Sequence, residues 1–320
     1  MLSPKENYRK VLAGEKPERL PVFPEDANFF VPSLWDPDPE THRDWMGVLW
    51  IDEKSGRMPD VVHPVMSSVA QWRELQFPDL ARIDWEGEVA RFKENYDPDK
   101  IDIAMIHSNG PFLLPINVLG WEEGLAAIYE EPEELEAFVT AIVDFLIELA
   151  GYIHRYVKPE VMFSGDDLAS ANGPFVSKAV WENFYKAQFQ RIVNAVHELG
   201  ARVEFHNCGN NGYLIEEFLN LGVDICQLPM PNDQLLADRQ RFGKRLIITG
   251  GWDRIGEASK ADASEAVVRK SARTAIDDYG KDGGLIFWDG GIIGDDQAAT
   301  DKRTWLYDEV RRYGEELYRT

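Results

Sequence analysis

Two side chains in this sequence have the types and the spacing to hold a metal ion. His206 and Cys208 lie two residues apart in Arg202-Val203-Glu204-Phe205-His206-Asn207-Cys208-Gly209-Asn210-Asn211-Gly212. Successive residues of a strand alternate sides, so a strand carrying this pair turns imidazole and thiol to one face. Nitrogen and sulfur together suit zinc. Gly209 and Gly212 permit a tight turn directly afterwards, which places the pair at the mouth of a strand-helix unit, where α/β proteins keep their chemistry. The same two residues also read as a packed histidine beside a buried free thiol, so their surroundings have to decide.

A catalytic zinc takes about three protein ligands and keeps one position open. Asp167 and Asp289 are the further candidates by type, either to complete the metal shell or to protonate a leaving group. Cys226 offers a second sulfur, but its mid-strand position reads as core. His42, His63, His154 and His197 read as surface or helix-packing residues.

The elements that must position these groups alternate regularly from about residue 101. Strands are expected over 103–106, 161–164, 202–206, 223–228, 246–249 and 285–288. Between them, helical spacing of apolar residues predicts helices over 133–149, 181–199, 213–221, 232–242 and 263–279, with a last one over 301–318. Strand-helix alternation of this kind means a parallel sheet, and the number of units predicts a closed (β/α)8 TIM barrel. A doubly wound sheet is the runner-up, without a G-x-G-x-x-G after the first strand to support it. Residues 1–100 read as an N-terminal helical and irregular elaboration: a helix over 3–13, a first strand at Leu20-Pro21-Val22-Phe23, and a small β element at Trp45–Trp50. The whole of 1–320 is expected to form one barrel domain.

In such a barrel one mouth collects Asp26, Asn28, His107, Asn109, Asp166, Asp167, His206, Cys208, Gln227, Trp252, Asp253, Trp288 and Asp289. Singly, Asp166 and Asp253 read as turn or cap residues. Together the positions recur at the same place in each unit, which predicts a binding mouth. Asn28, Phe29, Asn109, Gln227, Trp252, Asp253 and Trp288 are its expected substrate-binding residues, with Phe29, Trp252 and Trp288 as walls.

Composition excludes other classes. A formal charge of −22 and a pI near 4.7 argue against a nucleic-acid partner, which would need a basic stripe. Nowhere do 18 apolar residues run together, so no membrane span is expected, and the N-terminus has no signal-like apolar stretch. Two cysteines in 320 residues rule out a disulfide scaffold. A cytoplasmic protein with free thiols is expected.

Three stretches carry a family likeness: Tyr8-Arg9-Lys10-Val11-Leu12-Ala13-Gly14-Glu15-Lys16-Pro17-Glu18-Arg19-Leu20-Pro21-Val22, Gly165-Asp166-Asp167 with Pro174-Phe175-Val176-Ser177, and His206-Asn207-Cys208-Gly209. They resemble the uroporphyrinogen decarboxylase superfamily, which implies a (β/α)8 barrel. True decarboxylases carry an arginine-bearing M-R-Q-A-G-R stretch where this chain reads Pro24-Glu25-Asp26-Ala27-Asn28-Phe29, a poor match to an acidic tetrapyrrole. The H-x-C pair, the Trp45–Trp50 segment, Gly56 and His63-Pro64 are similar to the corrinoid-dependent methyltransferase branch, which includes O-demethylase and methylcobalamin:coenzyme M methyltransferases. That resemblance implies a zinc-dependent methyltransferase moving a methyl group between a small O- or N-methyl substrate and a corrinoid (cobalamin) carried by a partner protein. The coenzyme M members place a third zinc ligand, a cysteine, after the last strand, where this chain has Trp288-Asp289-Gly290. An oxygen ligand instead implies a more electrophilic zinc, suited to polarising a methyl ether. A metal-free decarboxylase using Asp26 or Asp167, and a non-catalytic ligand-binding barrel, are the alternatives.

Overall fold

The computed structural model of the chain describes residues 2–51, 60–61, 64–292, 294 and 296–318; Gly56 and His63 lie outside them. The chain opens on helix α1 (Pro4–Leu12), started by Pro4 and a reciprocal cap in which the Ser3 hydroxyl accepts from Glu6 N–H and the Glu6 carboxylate accepts from Ser3 N–H. Its Tyr8 and Val11 plug the barrel interior.

Seven parallel strands follow in ring order: β1 (Ala27–Phe30), β2 (Ile101–His107), β3 (Val161–Gly165), β4 (Arg202–His206), β5 (Ile225–Gln227), β6 (Ile247–Gly251) and β7 (Leu285–Trp288). A parallel bridge between Val22, just before β1, and Phe287 of β7 closes the ring of this (β/α)8-type barrel. The first stave is therefore split. Its early half pairs with β7 and its later half with β2. Asp26 joins the halves: its carboxylate accepts from Val22 N–H at 2.9 Å and from Arg19 at 2.8 and 2.9 Å, and its carbonyl accepts from Ile101 N–H.

Strand alternation sorts the side chains. On β2, Ile101, Ile103 and Met105 face the barrel interior, while Ala104 and Ile106 face the helices. On β4, Val203 and Phe205 face outward, which turns Glu204 and His206 inward. On β5, Cys226 packs in the outer layer, as its mid-strand position predicts.

The outer layer, which includes α2 (Trp85–Lys93), is led by α5 (Pro132–Tyr156), whose Leu135, Phe138, Val139, Ile142, Leu146 and Leu149 are buried. This is the one helix among the described residues long and apolar enough to cross a membrane, and half of its most apolar window is buried in the protein. Two helices were not legible in the periodicity, α3 (Leu113–Leu119) and α4 (Trp121–Glu130), joined at Gly120 with φ +87°. Every residue of α3 is buried, so it shows no polar face to betray its period. The Trp45–Trp50 stretch forms a turn around Asp44, whose carboxylate accepts from Met46 N–H, Val48 N–H and the Trp50 indole; β structure there is confined to the Arg43–Leu49 bridge and Trp50–Ile51.

Candidate metal centre

β4 ends at His206, and the chain turns at once through Asn207, Cys208 and Gly209. Gly209 has φ +87°, and a Cβ there would stand 2.7 Å from the carbonyl oxygens of Ala169 and Ser170, so only glycine lets the loop pass. Cys208 Sγ lies 3.3 Å from His206 Nε2. Asp167, from the loop after β3, reaches the same place: its Oδ1 accepts from Cys208 N–H at 2.8 Å and lies 3.6 Å from His206 Nε2. The three ligand atoms all fall within 4.8 Å of one another.

His206 is oriented from behind. Its Nδ1 lies 2.7 Å from Gln227 Oε1, an acceptor suited to a proton on Nδ1, and its Nε2 is turned toward Cys208 and Asp167. Metal-binding histidines are held this way, with the other ring nitrogen donating to an oxygen. The Gln227 amide donates in turn to Glu204 Oε1 at 3.0 Å, which also accepts from Thr249 Oγ1 at 2.5 Å. Burial raises the Glu204 carboxyl, with the bonds from Thr249 and Gln227 acting against it.

Burial, reinforced by the Asp167 carboxylate, pushes the Cys208 thiol up to about 12, while Arg254 pulls against them. A cation placed among the three donors relieves that situation by taking the thiolate and the carboxylate together. Imidazole nitrogen, thiolate and carboxylate, open to a cleft on one side, are a donor set that fits zinc with a free position.

The cleft has a volume of about 850 Å³ and is lined by Asp167, His206, Cys208, Leu228, Trp252, Arg254, Trp288 and Lys302, among others. Trp252 is buried, its indole donating to Ser271 Oγ at 2.8 Å. Below the cleft, aromatic rings cross the barrel edge to face: Trp288 on Phe23 (5.1 Å between centroids), Phe23 on Phe29 (5.7 Å), and Phe29 on Phe163 (5.7 Å), with Phe163 tilted against the His206 ring.

The sequence-predicted residues separate into two groups. His206, Cys208, Asp167, Trp252 and Trp288 meet at the cleft, with Gln227 behind His206 and Phe29 in the ring stack below. The others stand apart. Asn28 lies at the start of β1, where its amide donates to the Asp97 carbonyl and the Asp102 carboxylate near the amino ends of the strands. Asn109 contacts Ser108 beyond β2. Asp253 caps Ile255 and Gly256, and Asp166 accepts from Phe112 and Leu113 N–H, so both serve as turn and cap residues. Asp289 is buried in its own turn, accepting from Gly291 N–H at 2.8 Å, beside Tyr307 and outside the three-donor cluster. Asp26 sits at the split stave, engaged by Arg19. Arg254 and Lys302 line the cleft without having been singled out in the sequence, although Arg254 directly follows Trp252-Asp253.

A family model, Uroporphyrinogen decarboxylase (URO-D), matches residues 43–293, most of the chain. The chain belongs to the uroporphyrinogen decarboxylase family. Among solved structures, a methyltransferase from Methanosarcina mazei superposes with a TM-score of 0.71 at 15% identity, covering 98% of this chain and 99% of that one. That likeness is one of fold, over the full length of this URO-D chain. A psychrophilic glycoside hydrolase family 10 endo-β-1,4-xylanase aligns over 72% of this chain and 67% of that one at 11% identity, with a TM-score of 0.34, too low to support an argument. No match was found among the curated proteins.

Proposed function

We propose that this URO-D family protein is a zinc-dependent methyltransferase of the corrinoid-dependent branch, moving a methyl group between a small O- or N-methyl substrate and a corrinoid protein. The observation that carries the reading is the convergence of His206 Nε2, Cys208 Sγ and an Asp167 oxygen, with the histidine held in the metal-binding tautomer by Gln227. The Methanosarcina mazei methyltransferase, whose fold this chain shares, supports the same reading.

When bound, zinc would supply a Lewis acid that polarises the heteroatom carrying the methyl group. The residues of the chain do the rest. Trp252 and Trp288 wall the cleft against water and offer flat faces to an aromatic or quaternary donor. Arg254, whose charge already acts on Cys208, faces negative charge that develops on a departing oxygen. The structure favours Asp167 as the oxygen ligand, because Asp289 is engaged by its own turn. We assign substrate contacts to Trp252 and Trp288, and we read Gln227 as the support behind His206 and Phe29 as part of the ring stack below Trp288.

Metal content by plasma mass spectrometry on protein purified without chelator tests this. About one zinc per chain is expected, lost in His206→Ala and Cys208→Ala, because a catalytic site of about three ligands does not survive the loss of one. Methyl transfer from aryl methyl ethers to cob(I)alamin then tests the reaction. A parent protein that neither carries nor takes up zinc overturns the proposal.

A further inference from the structure

Beneath the metal donors the barrel interior holds a buried acid that the transfer itself does not use. Glu204 precedes His206 by two residues on β4, is fully buried, and faces the same interior. Its Oε1 takes two hydrogen bonds, from Gln227 and Thr249. Its Oε2 has no hydrogen-bond partner among the described residues, and the Tyr8 hydroxyl lies beside Glu204 and Thr249. Burying such a group in an otherwise apolar barrel costs free energy that an isoleucine there would not cost.

We infer that Glu204 is a positioning residue: it holds the Gln227 amide with its oxygen toward His206 and thereby commits His206 to the tautomer whose Nε2 is free for a metal. The two ends of a glutamine amide have nearly the same shape, so hydrogen-bond partners alone decide which end faces which neighbour. Turned over, Gln227 would present its NH2 to His206 Nδ1. That nitrogen would then have to accept, moving the ring proton to Nε2, the atom that faces Cys208 and Asp167. Glu204 forbids the turned state, because an acidic oxygen opposite the amide rejects a second oxygen. Thr249 fixes the carboxyl plane by donating to the same Oε1. Because the Gln227 amide and Thr249 Oγ1 both donate to Oε1 while Oε2 has no partner among the described residues, a proton on this carboxyl belongs on Oε2, and Oε1 is held as the acceptor.

The consequence for metal binding rests on the zinc reading, but the tautomer can be read in metal-free protein. Only six histidines are present, so selective 15N-histidine labelling allows long-range 15N–1H spectra to report the His206 tautomer. Zinc affinity is read separately, by competition with a chromophoric chelator. In the parent protein His206 is expected as the Nδ1–H form. In Glu204→Met the Nε2–H form appears and zinc affinity falls about 10- to 100-fold, the usual cost of losing support behind a ligand. Should Glu204→Met fail to fold, Glu204→Met with Thr249→Val replaces both polar partners by apolar groups of similar shape and carries the same expectation. Adding Gln227→Glu to either variant restores both readouts, since a carboxylate accepts from Nδ1 whichever way it is turned, and it keeps the number of buried acids unchanged. A parental tautomer and affinity in Glu204→Met, or a folded Gln227→Glu combination that restores neither, overturns the inference. Loss of zinc binding in the parent with the tautomer behaviour intact would sink the metal reading and leave the positioning role standing.

Discussion

The backbone N–H of Cys208 is hydrogen-bonded to Asp167 Oδ1 at 2.8 Å, so the loops after β3 and β4 are tied together at the metal donors themselves. Two of the three candidate donors are thus held in place by the fold itself. Preorganisation of this kind reduces the ordering cost that binding an ion there would carry.

Replacing Asp167 separates its two jobs. Asp167→Asn keeps an acceptor for Cys208 N–H but loses the anionic oxygen, and zinc affinity is expected to fall about 10-fold; Asp167→Ala loses both and is expected to fall about 100-fold. Chelator competition measures both. Parental affinity in Asp167→Ala would remove Asp167 from the ligand set.

Gly209 sets the approach of the Cys208 loop to the β3 loop. Gly209→Ala places a Cβ 2.7 Å from two carbonyl oxygens at φ +87°. The left-handed conformation alone costs about 1–2 kcal/mol, and the clash adds to it. Thermal unfolding should shift down while zinc affinity drops, because Cys208 is the residue pushed away. A variant with unchanged melting and metal binding would show that the loop has room.

His107 gives the fold a predictable acid dependence. It is fully buried against Ser164, with Nε2 2.8 Å from the hydroxyl, and burial pushes its pKa down to about 4 from 6.5. The unfolded chain takes up a proton on this histidine as pH falls below 6.5, while the folded chain resists until about 4. Its contribution is therefore full above 6.5 and lost as pH falls toward 4, up to about 3 kcal/mol for a shift of this size. Urea unfolding of the parent and of His107→Gln across this range should show a steeper loss in the parent. Equal slopes would contradict a neutral buried His107.

The site was partly legible before the fold was known, and the residues show why. His206 and Cys208 declared themselves by type and by a spacing that strand geometry converts directly into a shared site. Gln227 stood out as a polar strand end, but its contact is with His206 and Glu204, a relation set by strand register that sequence does not print. Asp167 and Asp289 were equal by type; what separates them is that the fold brings Asp167 to His206 and Cys208 and leaves Asp289 in its own turn. Asn28 was misplaced because the first stave is split, which puts it at the amino end of β1 opposite Asp102. The outer barrel was read from amphipathic helices, and α3 escaped because it is buried on every side.

Arg254 offers the sharpest test of the transfer reading, because it lines the cleft beside Cys208 without being a ligand. If it stabilises charge on a departing oxygen, Arg254→Met should leave zinc content unchanged and lower kcat for transfer from aryl methyl ethers about 10- to 100-fold, with a smaller change in KM. The loss should be largest for poor leaving groups, whose oxygen carries the most charge in the transition state, and Arg254→Lys should recover part of it. A Met variant that lost zinc in proportion to activity would make Arg254 a support of the thiolate. A variant with parental kcat would place the developing charge elsewhere in the cleft.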